Sequence, residues 1–345
     1  MKQIYVQAQA DHIETLFRGS PLAALEELVW NALDADAREV RVDLMTNALG
    51  AVEAVRVSDN GTGIDASRAD QLFGNLGGSW KRAAIGGARP LHGRYGRGRF
   101  KAFALGTEVE WRTTSNSGGS LISYRLAGSA DKPGVFTLED LPPGAAPGTE
   151  VLVSNVRATV DSLLDAGETV QGLAARFALH LKSNPDIRIY FNGLPVTPVI
   201  VQKRATSYRL SVEGGASAKL EVIEWKRKFV GSGRLVFAGT DGFRLHDQPA
   251  GVRSGVGASF TAYLVSPRFP QLAAENALVM DELNPEVRRY LDAARNVLKA
   301  HFLAMVPEKS AFAREWEERV AAMTREERKE LLAIVKASLK ASAKA

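Results

Sequence analysis

The 345-residue chain contains no cysteine. This absence excludes a disulfide framework and any metal site built on thiolates. Apolar runs are also short, since none approaches the ~18–20 residues that a membrane-spanning helix requires, and residues 1–6 lack the apolar core of a signal peptide. We therefore expect a cytoplasmic protein with no membrane partner. Histidine is scarce, and its five positions lack the spacing of metal ligands: His12, His92, His180, His246 and His301.

Neither sign of charge dominates the chain. It has 44 lysine and arginine residues against 39 aspartate and glutamate residues, a formal net charge of +5 at pH 7. This small excess permits contact with nucleic acid but does not require it. Because 45% of the residues are hydrophobic, the length predicts an ordinary globular protein of two or three domains.

The most informative segment is a predicted helix near the N-terminus. Apolar residues repeat there at i, i+3, i+4 and i+7: Leu25, Leu28, Val29 and Ala32. Glu27, Asn31 and Asp34 form a polar stripe on another face of the same helix. A carboxylate one turn from a carboxamide suits a base beside a ligand for a hard cation. The alternative is an ordinary polar surface.

A predicted strand, residues 54–58, runs into the turn sequence Asp59-Asn60-Gly61-Thr62-Gly63. Glycines directly after an aspartate let the backbone approach a flat ligand while the carboxylate accepts a hydrogen bond. Residues 61–66 also fit the dinucleotide-binding pattern G-x-G-x-x-A. That pattern requires an uninterrupted helix, which the glycine-rich segment 73–78 would break. The chain has no P-loop motif.

These two motifs together resemble the GHKL ATPases, the superfamily of gyrase, the ninety-kilodalton heat-shock chaperone, sensor histidine kinases and MutL. The helix carries the pattern E-x-x-x-N-A, and the turn carries D-x-G-x-G. Three later segments are also similar to the family's motifs: residues 73–81 to its lid, residues 93–103 to its glycine-rich box and residues 148–153 to its closing strand. All the motifs occur in the family's order over about 125 residues.

The resemblance implies a Mg²⁺-dependent ATPase that turns over slowly, closes a lid at about residues 64–98 over ATP and dimerises when ATP binds. It implies Glu27 as the base that activates water, Asn31 as the magnesium ligand and Asp59 as the acceptor for the adenine amino group. Glycine amides, a helix N-terminus and basic side chains suit phosphate binding. The remaining implied nucleotide contacts are Asp34, Gly61, Gly63, Ile64, Lys81, Gly93, Tyr95, Gly96, Arg97, Gly98, Arg99, Phe100, Lys101 and Thr149.

The predicted fold class is α+β. Residues 1–203 are expected to form a Bergerat-type α/β sandwich with a mixed, mostly antiparallel sheet. Its predicted elements are strands Val40–Leu44, Val52–Ser58, Glu108–Thr113, Leu121–Leu126, Val135–Glu139 and Glu150–Val156, a helix Gln171–Leu181, and a hairpin at 187–196.

Residues 204–308 resemble the smaller α/β transducer domain of MutL, gyrase and MORC proteins, and 309–345 form a charged helical tail. Strands are predicted at 210–212, 218–224, 233–238 and 257–265, and a helix at 284–301. In those families a basic residue of a transducer loop reaches the γ-phosphate. Arg268 is the candidate, Lys226 and Lys228 are alternatives, and an ordinary surface arginine is the competing interpretation.

The biological client is left open by the sequence. A DNA-linked process in the manner of MutL or MORC and a role in bacterial defence are compatible with it, and a chaperone-like protein-remodelling ATPase is the alternative. A histidine-kinase phosphotransferase would need a phosphoacceptor helix before the catalytic domain, but only 26 residues precede Glu27. A module that uses nucleotide only as a structural ligand would not need Glu27.

Overall fold

The computed structural model describes residues 14–74, 98–212, 214–228, 232–252, 254, 259–280, 283–305 and 319–332. Its helices are α1 Pro21–Asp34, α2 Ala69–Gly74, α3 Gly98–Lys101, α4 Ala166–Ser183, α5 Pro198–Val201, α6 Phe269–Ala274 and α7 Pro285–Leu303. Short 3₁₀ segments lie at Ala66–Arg68, Ala102–Ala104 and Ala158–Leu163. None of the helices in the described ranges is long and apolar enough to cross a membrane.

The first sheet has eight strands in the order β5-β4-β3-β6-β2-β1-β7-β8. They are β1 Glu39–Thr46, β2 Val52–Asp59, β3 Gly106–Ser117, β4 Ser120–Ser129, β5 Phe136–Leu141, β6 Gly148–Val156, β7 Arg188–Phe191 and β8 Leu194–Pro195. Only the β1–β7 pair is parallel among the strand pairs of these described residues. The sheet is therefore mixed and mostly antiparallel, as predicted.

Helices α1 and α4 cover one face of this sheet. Along β1, Val40 and Val42 are buried while Glu39 and Arg41 are not, the alternation of a sheet with one face on the core. Helix α1 begins after Ser20, whose hydroxyl accepts from the Ala23 amide, and Pro21 occupies its first turn. Its buried residues join those of α4 and the strands in one core, which fixes the helix against the sheet.

The second sheet has five strands in the order β12-β11-β13-β10-β9. They are β9 Gln202–Leu210, β10 Ala218–Trp225, β11 Arg234–Ala238, β12 Arg244–Pro249 and β13 Ser259–Val265. Helices α6 and α7 pack on one face. The other face packs on α4, through a cluster that joins Ala178 and Leu179 to Trp225 and Tyr263. Helix α4 thus lies between the two sheets.

The second unit, predicted as residues 204–308, differs from its predicted elements in three places. The strand predicted at 210–212 is wrong, because the strand is β9 and ends at Leu210. Strand β12 and helix α6 were not predicted at all. The proposed boundary between residues 203 and 204 falls inside β9 and stays a prediction. Within the predicted tail, residues 319–322 and 325–332 are helical.

Candidate active site

Helix α1 presents Glu27, Asn31 and Asp34 as half-buried side chains along one stripe. Its C-terminal end contacts the turn that follows β2. The carbonyl of Ala35 accepts from the amide of Thr62 at 2.7 Å and from the Thr62 hydroxyl at 3.2 Å. These two bonds place the D-x-G-x-G turn beside the polar stripe, so the structure brings the two predicted motifs together.

A second connection joins the same turn to the segment between α1 and β1. The Asn60 side-chain oxygen accepts from the amides of Arg38 and Glu39, each at 2.9 Å. These bonds satisfy two backbone donors at the start of β1 and hold the turn from its other side. The position of Asp59 is therefore set by β2, α1 and β1 together.

Asp59 is the last residue of β2 and pairs with Thr149 of β6. Its Oδ1 accepts from the amide of Gly61 at 2.8 Å. Burial raises the pKa of Asp59 to about 6, although hydrogen bonds from the backbone of Gly61 and Thr149 lower it. The carboxylate is still mostly ionised at neutral pH and is a strong acceptor for a ligand donor.

The two glycines of the turn are required by close backbone contacts. A Cβ on Gly61 would lie 2.5 Å from the Ala35 carbonyl oxygen and 3.0 Å from Asp59 Oδ1. Gly63 has φ +73°, and its Cβ would lie 2.0 Å from the Thr114 carbonyl oxygen. Any larger residue would push the turn away from Ala35, at position 61, or away from β3, at position 63. The motif spacing therefore has a steric cause in this fold.

Thr113 of β3 is a site residue that the sequence did not single out. It is buried, and its hydroxyl accepts from the Ile64 amide at 2.8 Å, donates to the Gly148 carbonyl at 3.2 Å and lies 3.0 Å from the Thr149 hydroxyl. The buried Tyr124 hydroxyl donates to the Ile64 carbonyl at 2.9 Å. Thr113 thereby joins the turn to β6, and its partners are too distant in sequence for a local pattern to reveal.

One comparison with known proteins gives a match. Residues 20–133 match the family model described as histidine kinase-, DNA gyrase B-, and HSP90-like ATPase. The match covers about a third of the chain and shows that this segment is similar to GHKL-type ATPase domains. The matched range contains α1, the Asp59 turn and Thr113. The match supports ATP binding and hydrolysis in general. A search of curated proteins finds no match to the chain.

The structure describes only part of the predicted glycine-rich box. Lys81, Gly93, Tyr95, Gly96 and Arg97 lie outside the described residues, and so does most of the predicted lid. Gly98 and Arg99 begin helix α3.

Two later residues of the box have described side chains. The ring of Phe100 is buried near Phe17 and Phe136, so only its backbone could reach a nucleotide. Lys101 donates from Nζ to the Arg18 carbonyl at 2.8 Å, just before α1. This bond uses one of the three donors of the ammonium group, and the other two stay available to a phosphate.

Arg268, the predicted γ-phosphate residue, lies at the start of α6. Its guanidinium makes two hydrogen bonds to the Glu286 carboxylate, at 2.9 and 3.0 Å. This pair holds α6 to the first turn of α7 within the second unit. Of the alternatives, Lys226 donates to the Ile200 carbonyl at 2.7 Å, and Lys228 is exposed. A phosphate contact by any of the three stays a prediction.

Proposed function

We propose that this protein is a Mg²⁺-dependent ATPase that works as a conformational switch. The observation that carries the proposal is the Asp59 carboxylate at the end of β2, which is largely withdrawn from solvent and has the backbone amides of Gly61 and Thr149 as its partners. None of the residues that the structure describes supplies a cation to this carboxylate, and a desolvated anion without such a partner is costly. A ligand that donates a hydrogen bond to it explains why it is there.

Adenine fits this position because its exocyclic amino group is a donor. Asp59 would accept from that group, and Gly61, Gly63, Ile64 and Thr149 would line the ring. The Thr149 hydroxyl is already oriented by Thr113. Guanine carries a carbonyl where adenine carries the amino group, so the pocket would select against GTP.

Glu27 would take the proton from the water that attacks the γ-phosphate, and Asn31 would hold Mg²⁺ through its side-chain oxygen. The donor set fits, because a carboxamide and carboxylates one turn apart supply the oxygen ligands that Mg²⁺ prefers. When bound, Mg²⁺ supplies positive charge that balances the phosphates. Asp34, one turn further along the stripe, would complete the polar wall near the nucleotide.

The switch would depend on the lid at about residues 64–98. Its eight glycines between residues 74 and 98 make an ordering transition accessible in both directions. When the glycine-rich box binds the phosphates, the lid would become ordered and an ATP-dependent homodimer would be favoured. Such conformational steps commonly limit the rate of turnover. The second unit, residues 204–308, would act as a MutL- or MORC-like transducer in a DNA-linked or defence process.

Hydrolysis by the purified chain tests the proposal. Glu27→Ala should lower the rate about 10²–10⁴-fold, the usual effect of losing a general base. Its affinity for a non-hydrolysable ATP analogue should stay close to that of the wild type. Glu53→Ala is the matched control, because Glu53 is exposed on β2. Equal hydrolysis by Glu27→Ala and wild type would refute the assignment of the base.

Size-exclusion chromatography tests the switch separately. The analogue with Mg²⁺ should convert the chain to a dimer, and duplex DNA should shift the dimer further if the client is DNA. A monomer under all conditions would contradict ATP-dependent dimerisation. A dimer whose elution does not change when DNA is added would instead favour a protein client.

A further inference from the structure

Glu26, the residue before the proposed base, is held by two arginines from other parts of the fold. Arg176 of α4 donates from Nε to Oε2 at 2.8 Å, and Arg244 of β12 donates from Nη1 to Oε1 at 2.6 Å. The exposed fractions of the three side chains are 13% for Glu26, 18% for Arg176 and 23% for Arg244. Each carboxylate oxygen therefore has its own guanidinium in a largely desolvated position.

Arg244 is anchored in the second sheet as well as on α1. Its Nη2 also binds the Asp247 carboxylate, which in turn accepts from Arg234 Nε at 2.6 Å. Burial lowers the pKa of Arg244, but Glu26 and Asp247 outweigh it and raise the pKa above the usual value. One guanidinium thus bridges a carboxylate of α1 and a carboxylate of β12.

Aromatic and backbone packing continues the same contact. Trp30, one turn after Glu26, has its ring centroid 5.2 Å from that of Phe243, the residue before Arg244. Gly242 has φ +79°, and a Cβ there would lie 2.7 Å from the Leu179 carbonyl oxygen of α4. The segment 242–244 therefore fits closely against both α1 and α4, and this packing leaves little room for independent movement.

We propose that Arg244 is a positioning residue for Glu27. Consecutive helix residues point about 100° apart, so the face that carries Glu26 and Trp30 is fixed by the second sheet, and the adjacent stripe carries Glu27 and Asn31. A shift of β12 would turn or translate α1 and move the base relative to the nucleotide. The second unit would then control hydrolysis through the helix itself. This inference rests on the proposed role of Glu27.

The bridging geometry distinguishes positioning from simple charge neutralisation. A lysine at position 244 would keep the positive charge, but its single ammonium group cannot reproduce the planar fork that spans Glu26 and Asp247. Arg176 would remain on Glu26 in that variant. Arg244→Lys should therefore fold, yet hold α1 less firmly.

The experiment compares kcat for ATP and the Kd of a non-hydrolysable analogue in the full chain. Arg244→Lys and Glu26→Gln should each lower kcat about 10- to 100-fold, the scale of a small misplacement of a catalytic group, while the Kd changes little. The two changes should be less than additive in the double variant, because both weaken the shared Glu26–Arg244 contact. Arg125→Lys is the matched control: Arg125 also bridges two carboxylates, Glu110 and Glu139, but on β3 and β5.

Two results would overturn the inference while the proposed function stands. One is a wild-type kcat in folded Arg244→Lys when Glu27→Ala is inactive. The other is a fall in kcat and in binding capacity that merely follows the folded fraction measured by thermal unfolding. If Glu27→Ala hydrolyses ATP normally, the proposed base is wrong and the inference falls with it.

Discussion

The Asp59→Asn substitution keeps the size and shape of the side chain and removes its charge. In the wild type, Asp59 Oδ1 lies 2.8 Å from the Gly61 nitrogen. In the nucleotide-free variant, the side-chain oxygen of asparagine can still accept a hydrogen bond from that amide. The cost of burying an ionised carboxylate disappears. We therefore expect the variant to be more stable than the wild type at neutral pH, and at the same time to bind ATP poorly.

The magnitude follows from the pKa of Asp59, which burial raises from the ordinary 3.8 to about 6. Because the folded pKa is the higher one, the Asp59 contribution to stability is greatest below pH 3.8 and is lost as pH rises through 6. The full difference corresponds to about 3 kcal/mol. Partial exposure and weaker bonds to the neutral amide reduce it, so we expect a gain of about 1–3 kcal/mol at pH 8.

Chemical denaturation of both proteins at pH 8 and pH 5 measures this gain. At pH 5 the folded wild type is mostly protonated at Asp59, so the advantage of asparagine should fall to about half. In thermal scans each kcal/mol shifts the Tm by about 2–4 °C for a domain of roughly 200 residues. Titration calorimetry should show ATP bound at least about tenfold more weakly, on the scale of a hydrogen bond to a charged group.

Either half of this prediction can fail by itself. A variant that is less stable than the wild type at pH 8, with no dependence on pH, would show that burial of the charge is not what raises the pKa. An unchanged affinity for ATP would remove Asp59 from the nucleotide pocket. The wild type supplies an internal check, since its ATP affinity should fall as pH drops below about 6 and Asp59 takes up a proton.

Three further predictions concern the turn and the lid. Thr113→Val should destabilise the protein by about 1–3 kcal/mol, because the Ile64 amide loses its acceptor, and it should also weaken ATP binding. The control is Thr137→Val, because Thr137 is exposed on β5. Equal stability of the two variants would refute the role of Thr113. Gly63→Ala should abolish ATP binding by calorimetry, given the 2.0 Å approach to Thr114. Amide exchange across residues 73–98 should slow when the analogue and Mg²⁺ bind, and equal exchange would mean there is no lid.

Local patterns predicted most of the first sheet and the site elements built from neighbouring residues. Helix α1 has a clear apolar period, and Asp59 lies at the end of a regular strand, so the helix and the strand were both predicted. Strand β12 reads Arg-Leu-His-Asp-Gln-Pro and lacks apolar alternation, because its side chains are only partly buried at the edge of the sheet. The polar strand β9 was misplaced for the same reason.

The unpredicted site residues depend on contacts between distant parts of the chain. Thr113 reads as an ordinary strand threonine, and it gains its role only because β3 pairs with β6 and the turn folds back on both. Glu26 reads as one more polar residue of α1. Its two arginine partners lie 150 and 218 positions away, a separation at which sequence spacing carries no information about contact.

The carboxylates of Glu26, on α1, and Asp59, on β2, have opposite surroundings, and the contrast bears on their roles. Glu26 has a guanidinium on each oxygen, so its charge is neutralised within the protein and serves to hold the helix. Among the described residues, the pKa of Asp59 is set by burial and two backbone amides, with no cation beside it. Its charge lowers the stability of the empty protein and stays available to a donor from outside. Asparagine would cost the fold less at this position, and the proposed role of Asp59 in binding ATP explains why the residue is an aspartate.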